Sequence, residues 1–301
     1  MQKVLMYSIS LLLLASVVVN IFQYFYHPNP FPFLDADTNA IMPLDRLINF
    51  IPLRLDLTQY LATQSADFGM YFEYIPTGVS IGINEKKPYL YASLLKLPLV
   101  MAAYNSINQK HFSLTDTVTL TEDMLNSNYG TLYKQGVGAK ITIADAINKS
   151  LIESDDTAYN VLKSKISGED FLGVFDYLDI PVEEVASEAA VTPKNYISIF
   201  RSLRFSSYLP LKQSNDILEL LTHATYKDGI AAPIPEAVLV SHKFGVRTDK
   251  QYLSDCGIVY VPNRPYFLCV MGSGSPVNQI TPIVQTISGK IYQYIVTSSM
   301  Q

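Results

Sequence analysis

The pattern of apolar and polar positions along the chain predicts strands at both ends of a long helical middle. Residues 53–64 have the periodicity of an amphipathic helix, and residues 69–84 alternate as a hairpin. The pattern is helical from about residue 105 to residue 235, and a last helical segment covers residues 281–296. Between these two helical regions lie three strand-like segments, residues 237–246, 254–261 and 265–273.

This order of elements predicts an α+β fold with one antiparallel five-stranded sheet. Two strands come from the start of the body and three from its end, so the sheet must be completed across the helical middle. The terminal helices then cover the sheet, and residues 105–235, approximately, form an inserted helical subdomain.

The first 44 residues differ in character from the rest of the chain. Residues 4–25 contain no charged side chain and have the length of a bilayer-spanning helix, which predicts a transmembrane anchor over residues 1–26. Residues 27–44 contain four prolines and predict an extended linker to a catalytic body over residues 45–301. Lys3 precedes the apolar run, which predicts a body outside the cytoplasmic membrane. A cleavable signal peptide is the alternative, although no small-x-small motif follows the run.

Composition argues against several classes of function. The chain has 301 residues, a net charge of −5 and no basic run, which argues against nucleic-acid binding. No repeat typical of solenoids or propellers occurs, and the histidines lack metal-ligand spacing, so no metal or other cofactor is predicted. Cys256 and Cys269 would share one face of a strand pair, where a disulfide and two buried free thiols both fit.

Ser93 and Lys96 form the first pattern with chemical meaning. An almost unbroken apolar helix begins beside them, so Lys96 carries an amine into a helix that is otherwise buried. Residues three apart share a helix face, which brings the amine to the serine hydroxyl. Burial lowers the pKa of a lysine, so the amine could activate Ser93 as a nucleophile. By itself the Ser-x-x-Lys spacing is weak evidence for a nucleophile, because a helix-capping serine followed by a lysine that points to solvent has the same spacing.

Two further motifs follow in order along the chain. Residues 154–156 read Ser-Asp-Asp at a turn-to-helix junction, and residues 243–245 read Lys-Phe-Gly on a strand-like segment, where the glycine allows close approach of a ligand. With the Ser-x-x-Lys of residues 93–96, this set resembles the Ser-x-x-Lys, Ser-Asp-Asn and Lys-Thr-Gly motifs of class A β-lactamases and penicillin-binding proteins. The resemblance covers roughly residues 53–298.

The resemblance implies a β-lactamase/transpeptidase-like fold and a serine hydrolase that forms an acyl-enzyme. Ser93 would be the nucleophile and Lys96 its general base. Ser154 would pass a proton to the leaving nitrogen, and Lys243 would hold the substrate carboxylate and tune Ser154 by its charge. Substrate contacts would come from Asp156, Gly245, Val246, Tyr129 and Arg247, with the N–H groups of Ser93 and Val246 forming the oxyanion hole.

Two residues depart from the family motifs. Asp156 replaces an asparagine, which puts an anion where it favours the charged form of Lys96. Phe244 replaces a threonine, so a hydroxyl that would help bind a carboxylate is absent. Arg247 is a possible substitute for that hydroxyl, and its alternative is an ordinary exposed strand arginine. For Tyr129 the alternative to a rim aromatic is an ordinary loop tyrosine.

A third departure is the short interval between Ser154 and Lys243. Class A β-lactamases carry in this interval a loop whose Glu and Asn hold the deacylating water, and no Glu-x-x-Leu-Asn occurs here. Glu188 is the best remaining candidate base. The alternative for each of the nearby carboxylates, Glu183, Glu184 and Glu188, is an ordinary solvated loop residue. Formation of an acyl-enzyme is therefore better supported than its rapid hydrolysis.

Three activities fit these motifs. The leading one is a membrane-anchored β-lactamase-like hydrolase acting on β-lactam or D-Ala-D-Ala-type amides. The alternatives are a penicillin-binding D-Ala-D-Ala peptidase with slow deacylation, or a catalytically degenerate relative that binds β-lactam or peptidoglycan. The expected partners are therefore a β-lactam or a peptidoglycan stem peptide, and the membrane through the N-terminal helix.

Overall fold

The computed structural model describes residues 48–185 and 188–298. The strands are β1 (Asp67–Tyr74), β2 (Val79–Ile83), β3 (Tyr89–Leu90), β4 (Thr117–Thr119), β5 (Lys140–Thr142), β6 (Glu183–Val185), β7 (Glu188–Val191), β8 (Val240–Arg247), β9 (Tyr252–Val259) and β10 (Tyr266–Ser273). The α-helices are α1 (Ile51–Ala62), α2 (Lys96–Asn108), α3 (Ile143–Ile152), α4 (Asp156–Lys163), α5 (Gly168–Tyr177), α6 (Pro193–Arg204), α7 (Leu211–Thr222) and α8 (Val277–Thr297).

The alternating segments from both ends of the chain form one antiparallel sheet. Its strand order is β2-β1-β10-β9-β8, so the first strand pairs with the last along its whole length, from Asp67 opposite Ser273 to Tyr74 opposite Tyr266. Strands β9 and β10 are buried on both faces; β10 is almost continuously apolar, whereas β9 also buries Ser254 and Asp255. The prediction of a five-stranded antiparallel sheet built from both ends of the chain is confirmed.

Helices cover both faces of this sheet. Helices α1 and α8 pack on one face, and α1 buries Leu53, Leu57 and Leu61 there. The helix begins two residues before the predicted start, because Pro52 is compatible with its first turn. Helix α6 lies on the other face and buries the aromatic side chain of Tyr196 completely.

The middle of the chain is helical as expected. Helices α3 and α4 meet at the turn-to-helix junction expected at residues 154–156, where Asp155 accepts a hydrogen bond from the Ala158 N–H and caps α4. Short strands also occur, with β4 pairing β5, and β3 joining β7 and β6 in a small sheet. Strands of two to four residues are too short to show a period-two pattern, which is why the sequence did not predict them.

The two cysteines lie directly opposite each other on β9 and β10. Both are fully buried, and in the structure a disulfide joins Cys256 to Cys269. Of the two alternatives that the sequence left open, the structure has the disulfide.

The predicted anchor (1–26) and linker (27–44) lie outside the described residues. Within residues 48–185 and 188–298, no helix combines the length and the apolar character needed to cross a bilayer.

Candidate active site

Ser93 lies in a single 3₁₀ turn, Ala92–Leu95, that leads directly into α2. Strand β8 passes close to this turn at Gly245. A Cβ atom at Gly245 would lie 3.0 Å from the Tyr91 carbonyl oxygen and 3.2 Å from the Ser93 amide nitrogen. The glycine therefore lets the strand backbone approach the serine. From the other side, the buried Tyr196 hydroxyl donates to the Leu94 carbonyl at 3.0 Å and supports the turn.

Lys96 is buried, with 2% of its surface exposed, and its amine has three oxygen neighbours. The Nζ atom lies 2.8 Å from Ser93 Oγ, 2.5 Å from Asp156 Oδ1 and 3.4 Å from Ser154 Oγ. This explains why an apolar helix carries a lysine in its first turn, since the amine has the partners that burial requires.

Ser154 and Lys243 lie beneath the cleft and are both fully buried. The Lys243 Nζ donates to Ser154 Oγ at 2.8 Å and to the Phe244 carbonyl at 3.2 Å. Ser93, Lys96, Ser154 and Lys243 thus form one continuous chain of hydrogen bonds. Because Ser154 Oγ accepts from both lysines, its own hydrogen can be donated to a third group.

The position of Ser154 depends on its neighbour Asp155. The serine has a left-handed backbone conformation, with φ of 55°, between α3 and α4. The fully buried Asp155 caps α4 and also accepts hydrogen bonds from the backbone N–H groups of Thr131 at 2.6 Å and Leu132 at 2.8 Å. Sequence reasoning gave Asp155 no role, although an aspartate just before an apolar-periodic segment is a helix-capping signal.

Burial is the main electrostatic influence on the two lysines. It lowers the pKa of Lys96, while the Asp156 carboxylate acts in the opposite direction. Burial and the nearby charge of Lys96 hold the pKa of Lys243 well below its usual range. A lysine with a lowered pKa can be neutral near neutral pH, and a neutral Lys96 can accept the proton of Ser93.

Two backbone N–H groups are placed to stabilise an oxyanion. The Tyr260 N–H bonds to the Leu239 carbonyl, so the odd-numbered residues of β8 bond to β9 and the even-numbered ones face the free edge. The Val246 N–H belongs to the second set. It lies one residue beyond Gly245, where β8 approaches the Ser93 amide. Such a pair of N–H groups is the usual design of an oxyanion hole.

A cleft of about 1010 Å³ opens above Ser93 and Lys96. Five residues singled out from the sequence also line it: Tyr129, Asp156, Glu188, Val246 and Arg247. Other lining residues were missed because isolated polar residues carry no sequence signal; among them are Asn126, Asn128, Tyr159 and Asn160.

Arg247 and Glu188 face each other across the cleft margin. The Arg247 guanidinium donates to Glu188 at 2.9 Å and to both carboxylate oxygens of Asp249 at 2.8 and 2.9 Å. Lys250 Nζ lies 3.3 Å from the other oxygen of Glu188. Glu188 therefore pairs with two cations at the end of β8, while 35% of its side chain stays exposed.

Comparison with known proteins agrees with this geometry. The family model described as the beta-lactamase enzyme family matches residues 52–295. The chain belongs to the beta-lactamase enzyme family. A curated relative in sequence is the beta-lactamase VEB-1 of Pseudomonas aeruginosa, 20% identical over 234 residues that cover 70% of this chain and 78% of the relative.

Solved structures show the same fold. PBP-A is 17% identical, with a TM-score of 0.75 over 84% of this chain and 98% of the other. The beta-lactamase from Sphaerobacter thermophilus DSM 20745 is 19% identical, also with a TM-score of 0.75, over 83% and 98% of the two chains. The resemblance to the β-lactamase and penicillin-binding family is confirmed, and the protein is a serine β-lactamase-like hydrolase.

Proposed function

We propose that this protein reacts with β-lactam or D-Ala-D-Ala-type amides to form a long-lived acyl-enzyme on Ser93. The observation that carries the proposal is the buried hydrogen-bonded chain from Ser93 through Lys96 and Ser154 to Lys243. Such a chain supplies a base for the nucleophile and a proton for the leaving group at one site.

The acylation step moves protons through three members of this chain, Ser93, Lys96 and Ser154. Neutral Lys96 takes the proton of Ser93, and Ser93 Oγ bonds to the substrate carbonyl carbon. The N–H groups of Ser93 and Val246 stabilise the resulting oxyanion. When the carbon–nitrogen bond breaks, Ser154 donates its proton to the leaving nitrogen and regains one from Lys96. Lys96 therefore ends neutral, and the proton of Ser93 ends on the leaving group.

A relative supports the choice of a β-lactam as the first probe. A point mutant of PBP-A was solved as an acyl-enzyme complex with penicillin G, and its fold matches this chain with a TM-score of 0.74 at 18% identity. The likeness concerns the fold, so reaction with a penicillin is part of the proposal for this chain.

Slow hydrolysis of the acyl-enzyme is proposed from the pairing of the cleft carboxylates. Among the described residues that line the cleft, these are Asp156, Glu188 and Asp249. Asp156 pairs with Lys96, and the other two pair with Arg247. A water-activating base needs a carboxylate oxygen directed at the acyl group. This pairing therefore favours the penicillin-binding, peptidase-like role over rapid β-lactam hydrolysis.

The location of the protein is proposed from its sequence. An uncharged run of the length of a bilayer, followed by a proline-rich segment, would tether the body outside the cytoplasmic membrane. Peptidoglycan stem peptides are found in that compartment, which fits the proposed substrate class.

Intact-protein mass spectrometry after incubation with benzylpenicillin, and separately with its methyl ester, tests the acylation. We expect a covalent adduct that peptide mapping assigns to Ser93 and that is absent from Ser93→Ala. Ser106→Ala is a matched control, because Ser106 is a buried serine of α2, the helix that follows the Ser93 turn, and lies outside the hydrogen-bonded chain. An adduct on another residue, or none on the folded protein at any pH, would refute the proposal.

A further inference from the structure

Three aromatic side chains pack together at one side of the cleft: Phe244 and Tyr129 line the cleft, and Tyr226 lines an adjoining hollow. The Phe244 ring stacks on Tyr226, with ring centroids 4.2 Å apart, and meets the ring of Tyr129 edge-on at 5.6 Å. Phe244 is buried by this packing, with 2% of its surface exposed. We call these three residues the aromatic wall.

The aromatic wall separates Lys243 from the cleft. The Lys243 Nζ lies 4.5 Å from the centroid of the Phe244 ring and has no exposed surface. Two of its hydrogens go to Ser154 Oγ and the Phe244 carbonyl, and the ring lies over the amine. The lowered pKa of Lys243 further weakens its attraction for an anion. Lys243 is therefore poorly placed to bind a substrate carboxylate.

The other cations of the cleft are already paired. A second hollow of about 490 Å³, lined in part by Tyr129, Tyr226 and Asp228, adjoins the wall. Among the described residues that line the cleft and this hollow, the basic ones are Lys96 and Arg247. Lys96 pairs with Asp156, and the Arg247 guanidinium is held by Glu188 and Asp249. A carboxylate in the hollow would instead meet the anionic Asp228.

The geometry of proton transfer places the leaving group against the aromatic wall. The leaving nitrogen must come within hydrogen-bond distance of Ser154 Oγ to receive its proton. That oxygen is 2.8 Å from Lys243 Nζ, which lies directly beneath the Phe244 ring. Substituents on the leaving nitrogen therefore lie against the aromatic wall and extend towards the second hollow.

We propose that the leaving-group side of this cleft selects acyl compounds whose leaving group is uncharged, and that Phe244 determines this selectivity. This inference rests on the proposed acylation of Ser93 and narrows its substrate class. A peptide with a terminal D-Ala leaving group and the free acid of a penicillin both carry a carboxylate beside the leaving nitrogen, so each should acylate Ser93 more slowly than its uncharged ester or amide counterpart. Uncharged amides and esters gain apolar contact with the aromatic wall, whereas a carboxylate loses its hydration there without gaining a cation.

Benzylpenicillin and its methyl ester form a matched pair of probes. In both, the leaving nitrogen is the ring nitrogen, and the carboxylate or ester is on the carbon beside it. The rate of Ser93 acylation is measured by mass spectrometry and divided by the rate at which hydroxide opens the same compound. We expect the normalised rate to be at least about tenfold higher for the ester, the cost of one unmet interaction of a charged group. Equal normalised rates, or a faster free acid, would overturn the inference.

Two substitutions of Phe244 test whether this residue determines the selectivity, because the valine and threonine side chains have nearly the same shape. Phe244→Thr removes the ring and adds a hydroxyl, whereas Phe244→Val removes the ring without adding one. We expect the ratio of the normalised rate for the ester to that for the free acid to fall in both variants, and to fall further in Phe244→Thr. An unchanged ratio in both correctly folded variants would overturn the role of Phe244. The wild-type ratio stands as a test even if a variant misfolds. Acylation by neither compound would refute the proposed function, and acylation led by the free acid would refute only this inference.

Discussion

Lys96 is held between burial, which favours its neutral amine, and the Asp156 carboxylate, which favours its ammonium. An asparagine at position 156 would keep the shape of the side chain and remove the anion. The balance would then move towards the neutral amine, which is the form that can take the proton of Ser93. Asp156 therefore leaves a smaller fraction of Lys96 as the neutral amine near neutral pH than burial alone would.

We expect Asp156→Asn to shift the acid limb of the acylation profile to lower pH. Asp156 raises the pKa of Lys96, so its removal lowers that pKa and leaves more neutral amine at a given pH. A shift of at least about one pH unit is expected for a contact this close. The measurement is the rate of Ser93 acylation between about pH 5 and pH 9, the range over which such a base titrates.

Asp249→Asn is the control for this shift. Asp249 also lines the cleft but pairs with Arg247, so its removal should leave the acid limb in place. An acid limb that does not move in Asp156→Asn, or that moves equally in both variants, would show that Asp156 does not set the charge of Lys96.

The hairpin β6–β7 lies in the interval between Ser154 and Lys243, where the sequence has no Glu-x-x-Leu-Asn. Strand β7 pairs with β3, and the Tyr91 N–H bonds to the Ala189 carbonyl, so the hairpin packs next to the turn that holds Ser93. Its Glu188 is engaged by Arg247 and Lys250. The hairpin therefore supports the turn that holds Ser93, while the Glu188 carboxylate is paired with cations at the end of β8.

The penicilloyl adduct is expected to last for minutes or longer, and Glu188→Gln should not change its lifetime. Without a positioned base, deacylation loses a factor of about 10² to 10⁴. The adduct is followed by mass spectrometry after free penicillin is removed, and Glu219→Gln, a substitution on α7, serves as a control. Loss of the adduct within seconds in wild type, abolished by Glu188→Gln, would instead identify a working β-lactamase with Glu188 as its base.

The start of α4 depends on Asp155 more than a helix usually depends on its cap. Asp155→Ala leaves three backbone N–H groups without their acceptor, those of Ala158, Thr131 and Leu132. We expect a loss of about 3 kcal/mol in the free energy of unfolding, measured by urea denaturation. Ser167→Ala removes an exposed cap of α5 that bonds one N–H, and should cost only about 1 kcal/mol. Equal losses in the two variants would contradict the bridging role of Asp155.

For the whole molecule, the uncharged N-terminal run predicts that the body is held at a membrane. We expect the full chain, expressed in a bacterial host, to stay with the membrane pellet after alkaline carbonate extraction. A chain that begins at residue 45 should be released in soluble form and still acylate at Ser93. A mature N-terminus within residues 15–30, found by mass spectrometry, would support the cleaved signal peptide instead.

Much of the fold followed from local pattern. Alternation predicted the five strands of the main sheet, and the distribution of these strands at both ends of the body predicted how the sheet closes. The small strands β3 to β7 were not predicted, because their pairing depends on partners brought together by the surrounding helices. The turn-to-helix junction at residues 154–156 was predicted, whereas the capping role of Asp155 was not.

The sequence by itself determined which residues have the chemistry of the site. Spacing put Ser93 and Lys96 on one helix face, and motif order added Ser154 and Lys243. Only the tertiary structure decided how these groups are partnered. Glu188 meets Arg247 across 59 residues of chain, and the Phe244 ring lies between Tyr226 and Lys243. Local periodicity cannot report such contacts, because they arise when separate elements pack and force side chains to share one volume.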